Sequence, residues 1–145
     1  MESSDDYMRQ FRGFFSSALS WDDLDRLWQT LRAQADDGWY LYAVGEEPPA
    51  SPSSKVHYLH FLDEIHALLR KEHDEGYCGI VYANDLQEPS MVKIYDPNNL
   101  GSSCGSPGNT PPPLPGWVLS RLSPPNLTAL RQTGARRRWW QTLFG

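Results

Sequence analysis

The sequence predicts an α+β domain in which a mixed, mainly antiparallel sheet of about four strands packs against about three helices. Three observations carry this. Between Tyr77 and Pro97 two short apolar runs, Cys78 to Ala83 and Met91 to Tyr95, flank a polar segment that ends in Glu88-Pro89-Ser90. β-Branched and aromatic residues fill both runs, and Asn84-Asp85 and Asp96-Pro97 close them, which is the signature of two strands joined by a hairpin with a longer loop. A third run, Trp39 to Val44, is continuously apolar and of strand length, as suits a strand covered on both faces. Between these runs, apolar residues recur with helical spacing.

Taken in order, residues 5 to 19 place Tyr7, Met8, Phe11, Phe14, Phe15 and Ala18 close to one helical face. This predicts an aromatic helix, weakened at Gly13, that lies on the sheet or docks on a partner. The second helix has Ser20 as N-cap and Asp22 and Asp23 in its first turn, where carboxylates complement the positive helix end. Trp21, Leu24, Leu27, Trp28, Leu31 and Ala35 form its apolar stripe. Asp36-Asp37-Gly38 ends it, the glycine supplying a left-handed cap. A loop over 45–54 follows, then a third helix from about Lys55 to Glu75 that buries Leu59, Leu62, Ile65, Leu68 and Leu69 and stops at Gly76. If the strands on either side of that helix share a sheet, they are expected to be parallel, joined by a right-handed crossover. Residues 98–116 are rich in Gly, Ser and Pro and form a long loop. Trp117 to Leu122 reads as a last strand, stopped by Pro124-Pro125. The domain is expected to span 1–134, with 135–145 as a separate basic-aromatic tail.

Composition narrows the function classes. A content of 39% hydrophobic and 12% aromatic residues supports a folded core in 145 residues. A net charge of −5 disfavours general attraction to nucleic-acid phosphates or anionic membranes. Two cysteines cannot build a disulfide framework, the N-terminus lacks the basic and apolar regions of a signal peptide, and no apolar run is long enough to span a bilayer. A soluble cytoplasmic protein is expected.

Candidate chemistry is sparse. The four histidines all lie on the third helix; His57 and His60 share a face, but no carboxylate or thiol joins them at a diagnostic metal spacing, so no metal is expected. Cys78 lies inside a strand, with His73 nearby and Asp74 or Asp96 able to orient it; Cys104 lies among small loop residues. These three, Cys78, Cys104 and His73, are the candidates for thiol catalysis. Asp85, Glu88 and Asp96 flank the hairpin, where short acidic side chains ordinarily serve turns. The run Thr110 to Gly116, with Pro112-x-x-Pro115, favours polyproline II and reads as a stiff spacer leading into Trp117 or as a ligand for an aromatic groove. Gly-x-Ser-x-Gly, His-Glu-x-x-His, Cys-x-x-Cys and Gly-x-Gly-x-x-Gly are absent, and no cofactor is implied.

The tail carries Arg136, Arg137 and Arg138 before Trp139, Trp140, Leu143 and Phe144. A segment of this kind folds back on the body, binds a partner groove or lies on a membrane surface. The leading expectation is a small non-catalytic accessory or adaptor protein that binds another protein through an aromatic surface and this tail. The alternatives are a thiol-dependent enzyme, and a small-ligand module whose pocket is lined by Trp39, Tyr82, Tyr95 and Trp117.

Overall fold

The computed structural model of the chain describes residues 2–72, 80–96 and 115–127. In chain order the elements are α1 (Glu2–Phe11), β1 (Ser16–Ser17), α2 (Trp21–Ala33), β2 (Tyr40–Ala43), α3 (Lys55–Glu72), β3 (Val81–Ala83), β4 (Met91–Ile94) and β5 (Trp117–Ser120). The strands form one five-stranded sheet in the order β1-β3-β4-β5-β2. The α+β class is as expected, with one strand more.

The sheet is not mixed: every neighbouring pair is antiparallel. The expected parallel crossover from β2 to β3 is overturned. Both strands are in the sheet, but β4 and β5 lie between them, and the successive antiparallel steps leave β2 and β3 running in opposite directions. The cause is long-range pairing. β5 returns beside β4 and takes Tyr40–Ala43 along its other side, Tyr40 opposite Ser120 and Ala43 opposite Trp117.

The N-terminal segment is also not one helix. α1 ends at Phe11, and Ser16 and Ser17 pair with Ala83 and Tyr82. Arg12 N–H and Gly13 N–H donate to Met8 and Gln10 carbonyls, closing the last turn, and the chain then leaves the helix. The helical spacing misleads because Phe15 packs beside Met8 and Phe11 after the helix has ended.

α2 begins as expected, with Ser20 Oγ accepting from Asp23 N–H at 3.1 Å. It stops earlier, at Ala33, and Gly38 does not take the left-handed conformation; Gly45, at φ 101°, is the one described residue that does. Gly38 supplies space instead, since a Cβ there would lie 2.8 Å from Arg121 Nη1. Ser54 Oγ receives His57 N–H at the start of α3, and Asp37 Oδ1 receives Lys55 N–H at 2.7 Å.

Strand alternation splits the core into two layers. Leu41, Ala43, Val81, Ala83, Val92, Ile94, Trp117 and Leu119 face α2 and α3, which contribute Leu24, Leu27, Trp28, Leu31, Tyr58, Phe61, Leu62, Ile65, Leu68 and Leu69. Tyr42, Val44, Met91 and Val118 face α1, which contributes Tyr7 with partly buried Met8 and Phe11. Each full burial of such an aliphatic or aromatic side chain stabilises by roughly 1.5–3 kcal/mol. Both faces of β2 and β5 are thus covered, as the apolar run at 39–44 implied.

The two sheet edges differ. On β2, the outward carbonyls of Trp39 and Ala43 accept from Ser53 N–H at 2.8 Å and Glu46 N–H at 3.0 Å. The loop that follows β2 therefore closes that edge. β1 is the other edge. No described helix is long and apolar enough to cross a membrane.

Candidate partner-binding edge

β1 owes its place to its two flanks. Ala18 is fully buried in the α2/α3 layer and donates its N–H to Val81 O at 2.9 Å. Phe15 packs on the opposite layer. The segment is thus pinned on both faces of the sheet while its backbone runs along the rim. Opposed residues in an antiparallel ladder alternate between hydrogen-bonded and non-hydrogen-bonded pairs. Since Ala18 bonds to Val81, the N–H and C=O of Ser17 point away from β3, outward from the sheet.

The side chains beside this open rim are apolar and exposed. Phe14 is 79% and Leu19 72% exposed, and with Val56 they are the exposed large hydrophobics among the described residues. Phe14 and Leu19 bracket β1 in sequence, immediately before Phe15 and after Ala18. A single exposed apolar side chain is ordinary, but a pair framing unpaired backbone is the arrangement by which a sheet accepts another strand.

Behind the rim lies a cation. Lys93 sits in register with Tyr82 on β3, and its Nζ lies 4.2 Å from the Phe11 ring centre and 3.9 Å from that of Phe15. The rings favour the ammonium electrostatically, whereas half-burial opposes it and pushes its pKa down. Among the described residues no carboxylate pairs with Lys93.

The cover of α1 carries unsatisfied polar atoms. Gln10 Nε2 donates to Ser90 Oγ at 2.9 Å, and Asn84 Nδ2 donates to the same oxygen at 3.0 Å. Gln10 Oε1 and Tyr7 OH, both buried, find no hydrogen-bond partner among the described residues. Burial raises the Tyr7 pKa far above its ordinary value, with the nearby Tyr42 adding to the effect.

The hairpin acids serve turns where they are seen to bond. Asp85 Oδ1 accepts from Gln87 and Glu88 N–H at 2.9 and 3.3 Å, while Asn84 Oδ1 accepts from Ser90 and Met91 N–H. Asp96 is buried at the end of β4.

Of the aromatic residues weighed for a pocket, Trp39 and Trp117 are buried in the α2/α3 layer. Trp39 stacks on Tyr58 with ring centres 5.4 Å apart, and Arg121 covers its ring at 4.3 Å. Tyr82 and Tyr95 meet each other edge to face at 5.6 Å. His57 and His60 are exposed on the first turns of α3. His66 is engaged instead, its Nδ1 accepting from Trp28 Nε1 at 2.9 Å with Trp21 packed edge-on. Cys78, Cys104, His73, the loop 98–114 and the tail residues Arg136, Arg137, Arg138, Trp139, Trp140, Leu143 and Phe144 lie outside the described residues. Among the described residues, no three side chains of metal-ligating type come together.

The β1 rim was missed from sequence. Its one signal is the interval between Gly13, which ends a helix, and the N-cap Ser20, which starts the next. Comparison with protein-family models, with curated proteins and with solved structures finds no match to this chain.

Proposed function

We propose that this chain is a small cytoplasmic accessory protein without catalytic activity, which binds another protein at the β1 edge. One observation carries the reading: Phe14 and Leu19, the two most exposed large apolar side chains apart from Val56, frame an edge that no described loop closes. The opposite edge is closed by the loop after β2, so among the described residues the two rims differ. Addition of an extended segment to β1 would satisfy the outward Ser17 groups and cover both apolar side chains. The Arg136–Phe144 tail is, in this reading, a second contact with the same partner.

Affinity capture with three forms of the protein tests this: the intact chain, the double variant Phe14→Ser/Leu19→Ser, and a chain ending at Gly134. A partner retained by the intact chain and lost from the double variant supports the edge. Equal retention by both removes the edge from the reading. Loss on truncation alone moves the contact to the tail.

A further inference from the structure

We infer that the segment accepted by β1 is acidic: an extended stretch of a partner protein that alternates apolar residues and carries an Asp or Glu near its C-terminal end. This rests on the reading of β1 as a docking edge and adds the chemistry of the occupant.

The argument is one of charge complementarity. Two cations belong to the segments that lead into β1: Arg12 precedes it in the chain, and Lys93 packs on Phe11 and Phe15. Arg12 is exposed, and its guanidinium has no partner among the described residues. Lys93 originates two strands inward, but its ammonium reaches the Phe15 ring and so is delivered to the rim. The protein's other described arginines near α1 and α2 are already paired: Arg9 with Asp6, Arg26 with Asp23 and Arg32 with Asp63. Arg12 and Lys93, like Lys55, Arg70 and Lys71 on α3, make no ion pair among the described residues, but these two belong to the elements that border β1.

The far end of β1 has the opposite sign. Asp22 and Asp23 follow Leu19, and Asp23 Oδ2 accepts from Leu19 N–H. Asp23 is itself paired with Arg26, so the exposed Asp22 is the carboxylate that makes the end of the rim anionic, opposite in sign to its start. A segment added antiparallel, as every other pair in this sheet runs, brings its C-terminal end to Arg12 and Lys93. An acidic residue there meets both cations, and its pairing with a half-desolvated ammonium is stronger than a surface pair in water. A basic residue at the same place would be repelled. Between these ends, apolar side chains of the added segment lie against Phe14 and Leu19.

Peptides selected from a random seven-residue display library on the full chain, then synthesised with acetylated and amidated ends, provide the probe. Binding is measured by titration to the intact chain, Ser17→Pro, Phe14→Ser and the double variant Arg12→Ser/Lys93→Met, with thermal melts confirming that each variant is folded. Ser17→Pro removes an outward N–H while restricting the backbone of an edge strand, where proline is tolerated, and Phe14 is exposed, so neither change touches the core. The inference expects alternating apolar residues with a C-terminal-half Asp or Glu. It further expects about a tenfold loss when that acid becomes Asn or Gln, and no such loss on the Arg12→Ser/Lys93→Met double variant. Carbodiimide coupling should link the peptide carboxylate to Lys93. Peptides that require Ser17 and Phe14 but bind equally as acid or amide overturn the acidic occupant while leaving the edge. Peptides indifferent to Ser17→Pro and Phe14→Ser overturn the edge itself. A concentration-dependent dimer abolished by Ser17→Pro makes the occupant a second copy and overturns the acidic partner.

Discussion

The Lys93 ammonium rests 3.9 Å from the centre of the Phe15 ring, tying the middle strand of the sheet to the segment that enters its open edge. Phe11 holds the same ammonium from the end of α1 at 4.2 Å. One charged side chain thus fastens helix, strand and rim together.

Removing that charge should loosen the fastening. Lys93→Met keeps the length and apolar stem and abolishes the cation, so the expected cost is the ring attraction, about 0.5–2 kcal/mol, reduced by the desolvation that half-burial imposes on the ammonium. Urea unfolding of the variant beside the unmodified protein measures it. A midpoint that stays or rises would mean that desolvation of the ammonium matches or outweighs its attraction to the rings.

Tyr7→Phe should be neutral or stabilising. Tyr7 is fully buried and its hydroxyl finds no partner among the described residues, while the ring stacks on Phe11 at 6.1 Å. Deleting an unpaired buried hydroxyl relieves a desolvation penalty of roughly 1–3 kcal/mol without opening a cavity. A thermal melt that falls by several degrees would show that the hydroxyl has a partner in the folded protein.

Arg121 and Gly38 should behave as one unit. Arg121 bonds Asp36 Oδ1 at 2.6 Å and the Gln34 carbonyl at 3.2 Å while covering Trp39. Arg121→Ala should cost about 1–3 kcal/mol through these lost contacts. Gly38→Ala places a methyl 2.8 Å from Arg121 Nη1 and displaces the same guanidinium. The double variant should therefore lose less than the sum of the two single losses, measured by a denaturant cycle. Strict additivity would separate the two residues.

His66 should make stability pH-dependent. Its neutral Nδ1 accepts from Trp28 Nε1, and burial holds its pKa below the ordinary histidine value, opposed by Asp25 and Asp63 and helped by Arg70 and Arg32. Protonation would place a hydrogen on the acceptor. The folded pKa is depressed, so the unfolded state binds the proton more readily. The stabilisation is fully present above about pH 6.5 and is lost as pH falls through the lower folded value. His66→Gln, which retains an acceptor but does not titrate, should remove this part of the pH dependence between about pH 7.5 and pH 5. Parallel curves for the two proteins would show that His66 is not responsible.

Local signals were legible where one element defines itself. Ser20, with Asp23 behind it, marks the start of α2, and Gln87 and Glu88 N–H turning onto Asp85 match a turn expected from residue type alone. Strand order was not legible, because the pairing of Tyr40 with Ser120 joins distant stretches and leaves no trace in either. Gly38 was expected to serve conformation and serves space, which depends on Arg121 far along the chain. The edge strand escaped detection because Ser16-Ser17 has no apolar alternation and its register comes from Ala83 and Tyr82. That Trp39 and Trp117 are buried in one layer with α2 and α3 depends on packing between distant stretches and is not written in either.

The most direct test of the central claim is the exchange rate of the Ser17 amide hydrogen, measured by NMR with and without the tightest selected peptide. That N–H points away from β3 in the free protein, so addition of a strand at β1 should slow its exchange about tenfold or more, with Phe14 and Leu19 resonances shifting together. Unchanged exchange at Ser17, with protection arising elsewhere on saturation by the peptide, would contradict the account.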